Sequence, residues 1–149
     1  MTKAIYFDMD GTVYDLYGVD GWLDMLKAED ATAYVRGRAL YDMDALADIM
    51  RGFVARGFVI GVITWTAMDG STEYNKQVRK VKREWIKQYM PYVTEFHCVK
   101  YGTPKHKVAN VKGGILVDDN KKVRDAWDGA TINACEDIVK ALKIVLDRV

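Results

Sequence analysis

Asp8 and Asp10 stand one residue apart at the end of a strand-forming run, AIYFDMDGTVYD, between Ala4 and Asp15. A strand that finishes on two carboxylates implies a positive charge nearby, because close carboxylates repel one another. Three further segments carry groups of matching chemistry. Thr64 closes FVIGVIT, TPKHK brings Lys105 and Lys107 to a helix start, and GGILVDDN ends on Asp118 and Asp119. Each feature alone has an ordinary structural explanation. A Gly-Thr turn joins a strand to a helix, a strand-terminal Thr caps a turn, and Asp118-Asp119 supplies acceptors for a helix N-terminus.

These segments must be positioned by the elements between them. Strand candidates are Lys3 to Phe7, Phe58 to Ile63, Val93 to Val99, Gly114 to Val117 and Ala130 to Ala134. Several are near-continuous apolar runs, the pattern of strands buried on both faces of a parallel sheet. Helical spacing separates them, over Asp42 to Arg56 and Thr72 to Met90, with short helices at Pro104 to Val111 and Lys121 to Trp127 and a last one over Glu136 to Asp147. In the second of these, Tyr74, Val78, Val81, Trp85 and Tyr89 form an apolar stripe. Lys76, Arg79, Lys80, Lys82, Arg83 and Lys87 are expected to cover the remaining surface, as a solvated face or a track for a phosphate backbone. Alternating strands and helices predict an α/β fold with a doubly wound five-stranded parallel sheet. Ligands bind such sheets beyond the carboxyl ends of the strands, where Asp8 and Asp10 would lie.

The chain of 149 residues reads as a single domain over 1–149, with an aromatic-rich insert at about 14–41 forming a small cap that includes a short helix from about Asp20 to Ala28. A net charge of +1 gives no global reason for a nucleic-acid or membrane partner, and the longest apolar runs are too short to span a bilayer. The early Asp8 fits no signal peptide. Cys98 and Cys135 form no CxxC pair, and the spacing of His97, Cys98, His106 and Cys135 suits zinc poorly. The expectation is a reduced cytoplasmic protein with two buried thiols.

If the four segments converge, several carboxylates and an amine meet at one sheet edge, an unfavourable cluster without a cation. Oxygen ligands suit a hard divalent ion, and phosphate chemistry favours Mg²⁺. An EF-hand is excluded because its glycine belongs at the sixth loop position, whereas Gly11 is fourth counting from Asp8. No GxxxxGK(S/T) phosphate loop occurs.

With DxDGT at Asp8 to Thr12, a strand-end Thr64, a lysine before the fourth strand and the terminal Asp118-Asp119, the chain resembles the haloacid-dehalogenase-like (HAD) phosphatase superfamily over nearly its whole length. KREWIKQYMP, FHCVKYGTPKHK and ILVDDN make it most similar to the 5'(3')-deoxyribonucleotidase group. The resemblance implies Asp8 as nucleophile and Asp10 as general acid and then base. It implies that Thr64 donates to the phosphoryl group and that backbone N–H groups of the Met9–Gly11 loop meet phosphate oxygens. Lys107, preferred to Lys105 for its spacing to Asp118, would neutralise the phosphoryl charge. Mg²⁺ would be held by the Asp8 carboxylate, the Asp10 carbonyl and Asp119, with Asp118 acting through water. The insert is shorter than the cap of larger members, and Val13 stands where many relatives carry Leu.

The implied activity is phosphomonoester hydrolysis on a small phosphorylated substrate, a (deoxy)nucleoside monophosphate. The positions of Trp65, directly after Thr64, and Trp22, in the insert, make one of them the expected stacking surface for its base. The alternative is a polynucleotide 3'-phosphatase, with nucleic acid as substrate along the basic helix. A non-catalytic phosphate-switched module is the third reading. In receiver domains, however, the acidic pair comes early and the acceptor Asp ends a middle strand, where this chain has Thr64.

Overall fold

In the computed structural model, which describes residues 2–149, five strands form one all-parallel sheet in the order β3-β2-β1-β4-β5. They are β1 (Lys3–Phe7), β2 (Phe58–Trp65), β3 (Glu95–Val99), β4 (Ile115–Asp118) and β5 (Thr131–Asn133). Seven helices connect them: α1 (Trp22–Lys27), α2 (Ala33–Arg36), α3 (Met43–Ala55), α4 (Thr72–Tyr89), α5 (Lys105–Val108), α6 (Lys121–Ala126) and α7 (Ile138–Leu146). The doubly wound architecture expected from the sequence is present.

Local chemistry starts and stops these elements. Asp42, Ser71, Asn120 and Asp137 cap α3, α4, α6 and α7, each side chain accepting from backbone N–H groups of the first turn. After α3 the chain reverses at Gly57, whose φ of 85° suits glycine. β2 continues two residues beyond Ile63 because Thr64 and Trp65 pair with Cys98 and Val99 on the edge strand. The four-residue α2 lies inside the insert and is too short to leave a periodic signature.

The sheet is covered on both faces. The larger core packs β1 and β2 against Leu46, Ile49, Met50 and Phe53 of α3, with Leu142 and Leu146 of α7 behind them. Burying a side chain such as Phe53 contributes about 1.5–3 kcal/mol. The smaller core joins Ala4, Tyr6, Ile63, Leu116 and Trp127. There the Tyr6 hydroxyl donates to Glu95 at 2.8 Å, and the Trp127 indole donates to the Gly114 carbonyl at 2.7 Å. Cys98 is half-buried, but Cys135 is exposed, at the start of the loop before α7, where no apolar layer covers it.

Register places the site. Phe7 pairs with Val62 on one side and Val117 on the other. The next residues are therefore Asp8 in the centre, Ile63 and Thr64 on one flank, and Asp118 on the other. The Asp8 N–H donates to the Val117 carbonyl at 2.9 Å, so β1 and β4 stay zipped up to the first carboxylate.

Candidate active site

The loop after β1 is closed by its own backbone. The N–H groups of Thr12, Val13 and Tyr14 all donate to the Met9 carbonyl, at 3.1, 3.1 and 3.0 Å. Gly11 sits at φ 79°, and a Cβ there would lie 2.5 Å from Asp119 Oδ2. Its N–H donates to the Tyr14 carbonyl at 2.8 Å, so Gly11 gives the loop its shape and is not a free anion donor. The Met9 side chain is buried in the core, so only its backbone faces the loop. Among the described residues, the Met9 and Asp10 N–H groups have no backbone acceptor and remain available to an anion. Thr12 donates from its hydroxyl to Asp8 Oδ2 at 3.0 Å, fixing that carboxylate from below.

Of the two lysines of TPKHK, the structure brings Lys105, not the preferred Lys107, to the carboxylates. The Lys105 ammonium donates at 2.8 Å to both Asp8 Oδ1 and Asp118 Oδ2, and the residue is 4% exposed. Helix α5 begins at Lys105, directly after Pro104, so Lys107 lies about 200° further around and points to solvent.

A second lysine completes the site, and sequence reasoning assigned it to the surface. Lys82 of α4 is fully buried. Its ammonium donates to Asp10 Oδ2 at 2.8 Å, Thr64 Oγ1 at 2.8 Å and the Trp65 carbonyl at 2.7 Å, and it lies 5.1 Å from the Tyr34 ring centroid. The signal was present in the helix pattern. Position 82 falls four residues after Val78 and three or four before Trp85 and Ile86, all buried, so a lysine there interrupts the apolar face. Tyr89, expected in that stripe, is 40% exposed, and Ile86 takes its place.

Charge is distributed unevenly over the four aspartates. Burial opposes the charge of Asp8, yet the Lys105 ammonium and its hydrogen bond outweigh it and hold the carboxyl below its ordinary range. Burial pushes Asp10 up, against the pull of Lys82. Asp118 is also raised, by burial and then by the charge of Asp8. Asp119 is pushed up to about 8, by burial and then by Asp8 and Asp118 facing it. Carboxylate oxygens of Asp8, Asp118 and Asp119 all lie within 4.8 Å of one another, the one such cluster among the described residues. That spacing suits a single hard cation, which would relieve the crowding that pushes the Asp119 carboxyl up. Asp118, expected to act through water, stands beside the other two as a candidate ligand and is also bound to Lys105.

These groups open into a cavity of about 510 Å³, whose far wall belongs to the insert: Leu16, Tyr17, Trp22, Leu23, Leu26 and Tyr34. Both expected tryptophans line it, in different states. The Trp65 indole N–H is tied to the Thr103 carbonyl at 2.9 Å, Tyr101 stands edge-on to its ring, and Lys105 lies 5.2 Å from its centroid. Trp22 touches Tyr17 edge-on, at 5.0 Å between centroids, on half-exposed α1. The insert is tied both within itself and to the rest of the chain. Tyr14 donates to the Ala33 carbonyl and accepts from the Gly37 N–H, both at 2.7 Å. The Glu29 carboxylate accepts from the Ser71 N–H at 2.6 Å and its hydroxyl at 2.7 Å, clasping the insert to the start of α4.

Chemically, the arrangement offers a strand-end carboxylate held charged, a second carboxylate two residues away in a different protonation environment, two buried ammonium groups and a carboxylate trio that could hold a cation. No family model and no curated protein matches the chain.

Proposed function

We propose that the chain is a Mg²⁺-dependent phosphomonoesterase of the HAD type that works through an aspartyl-phosphate on Asp8 and takes a nucleoside monophosphate. The observation that carries this reading is the convergence of Asp8, Lys105, Asp118 and Asp119 at the floor of one apolar-walled cavity, with Asp10 in reach of the same floor. Two carboxylates pushed in opposite directions by their surroundings suit a nucleophile and a proton donor.

In this mechanism an Asp8 carboxylate oxygen attacks phosphorus and the ester P–O bond breaks. The leaving oxygen takes the proton of Asp10. The Lys105 ammonium, the Thr64 hydroxyl and the open N–H groups of Met9 and Asp10 bear the charge on the phosphoryl oxygens. Asp10, now ionised, takes a proton from the water that attacks the aspartyl-phosphate. Inorganic phosphate leaves and Asp8 is regenerated. When bound by Asp8, Asp119, Asp118 and the Asp10 main-chain carbonyl, Mg²⁺ would screen the nucleophile from the substrate dianion.

The cavity volume is in the range of small-ligand sites, about 300–1,000 Å³, and its tyrosine and tryptophan wall suits a base or similar flat group. The basic face of α4, which motivated a polynucleotide substrate, loses Lys82 to the interior. The test is hydrolysis of a panel of deoxynucleoside monophosphates against a 3'-phosphorylated oligonucleotide. Faster release from the mononucleotides is expected. Preference for the oligonucleotide would overturn the substrate assignment, and no phosphate release from either, with Mg²⁺ present, would overturn the enzyme assignment.

A further inference from the structure

Lys82 is a charged side chain in the middle of an apolar helix face, with no solvent access. An ammonium has three N–H donors, and here each has its own acceptor: Asp10 Oδ2, Thr64 Oγ1 and the Trp65 carbonyl. A buried ion is costly to maintain, and an apolar residue of similar length often stabilises such a position equally well. Packing alone therefore gives no reason for a lysine.

The acceptors do give one. With Oδ2 of Asp10 occupied, its remaining oxygen is Oδ1, which is buried and has no partner among the described residues. Thr64 Oγ1 is already an acceptor, so its own O–H is turned away from Lys82 and free to donate elsewhere. The Trp65 carbonyl holds the ammonium against the end of β2, which sets the position of both acceptors relative to the sheet edge.

We infer that Lys82 is a positioning residue that aims Asp10 Oδ1 at the leaving-group oxygen. The inference rests on the phosphatase reading above and adds a residue to it. Lys82 donates to no oxygen of the Asp8, Asp118 and Asp119 cluster. Its effect passes through Asp10, so it should appear where proton donation matters and fade where it does not.

The experiment compares wild type, Lys82→Met and Lys82→Gln, with Mg²⁺, at one fixed pH. It measures kcat/KM on an alkyl phosphate, whose departing alkoxide needs a proton, and on p-nitrophenyl phosphate, whose leaving group departs without one. Lys82→Met should lose about a hundredfold on the alkyl ester and only a few-fold on the aryl ester, in line with the usual size of general-acid catalysis. Lys82→Gln, which keeps an amide donor, should fall between. In an Asp10→Asn background the Met substitution should cause almost no further loss on the alkyl ester. Equal losses on both esters in the folded variants would overturn the inference and leave the phosphatase reading standing. Failure of both variants to fold, judged by circular dichroism, would assign Lys82 to stability and also overturn it. A wild type inert on both esters would overturn the phosphatase reading and this inference with it.

Discussion

Asp119 is the residue at which the electrostatics of the site is most exposed to measurement. Its carboxyl is pushed up to about 8 because burial and the charges of Asp8 and Asp118 disfavour a further anion. A cation bound by the cluster competes with that proton, so binding releases it. Apparent Mg²⁺ affinity should therefore weaken as pH falls below about 8, by at most about tenfold per unit for one proton. Calorimetric titration at several pH values between 6 and 9 checks this; a flat affinity over the lower part of that range would contradict it. The two lysines of TPKHK separate as sharply. Lys105→Ala should cost roughly a hundredfold or more in kcat, since it removes an ammonium aimed at developing charge. Lys107→Ala, on the exposed side of α5, should stay within about twofold of wild type. Spacing to Asp118 favours Lys107, whereas the fold brings Lys105 to Asp8 and Asp118. Pro104 fixes the helix start, so the first helical residue is the one that turns inward.

Helix α4 links the insert, the sheet edge and the buried lysine. Ser71 caps it through the Tyr74 N–H at 3.1 Å and receives the Glu29 carboxylate from the insert. Ser71→Ala should lower stability by about 1 kcal/mol through the lost cap, read as a fall in Tm. The insert itself bears on substrate. Trp65 is pinned by Thr103 and flanked by Lys105, whereas Trp22 stands on half-exposed α1 across the cavity. Trp22→Leu should raise KM for a nucleoside monophosphate by about tenfold, the range of one base–aromatic stack, and leave KM for p-nitrophenyl phosphate nearly unchanged. A parallel change in both would remove the stacking role from Trp22. The strands and long helices were legible because apolar runs and helical spacing report burial directly. Three features were not. The four-residue α2 has no period, Lys82 was hidden by its basic neighbours at 80 and 83, and Gly11's committed N–H depends on a turn that closes only when Tyr14 folds back.

Across the whole molecule, strand order puts β1 between β2 and β4, and this is what gathers residues separated by more than a hundred positions into one cluster. The first strand delivers Asp8 and Asp10, its neighbours deliver Thr64 and Asp118, and the connections that follow β2 and β3 deliver Lys82 and Lys105. No helix among the described residues is long and apolar enough to cross a membrane. The chemistry proposed for this edge depends above all on a covalent bond to Asp8. The most direct measurement is an acid quench of the enzyme during turnover of p-nitrophenyl phosphate with Mg²⁺, followed by peptide mass spectrometry. The expected result is a phosphoryl adduct on the peptide carrying Asp8, absent from Asp8→Asn, which should fold normally and retain almost no activity. An active Asp8→Asn variant, or a phosphoryl adduct mapped to another residue, would contradict the mechanism.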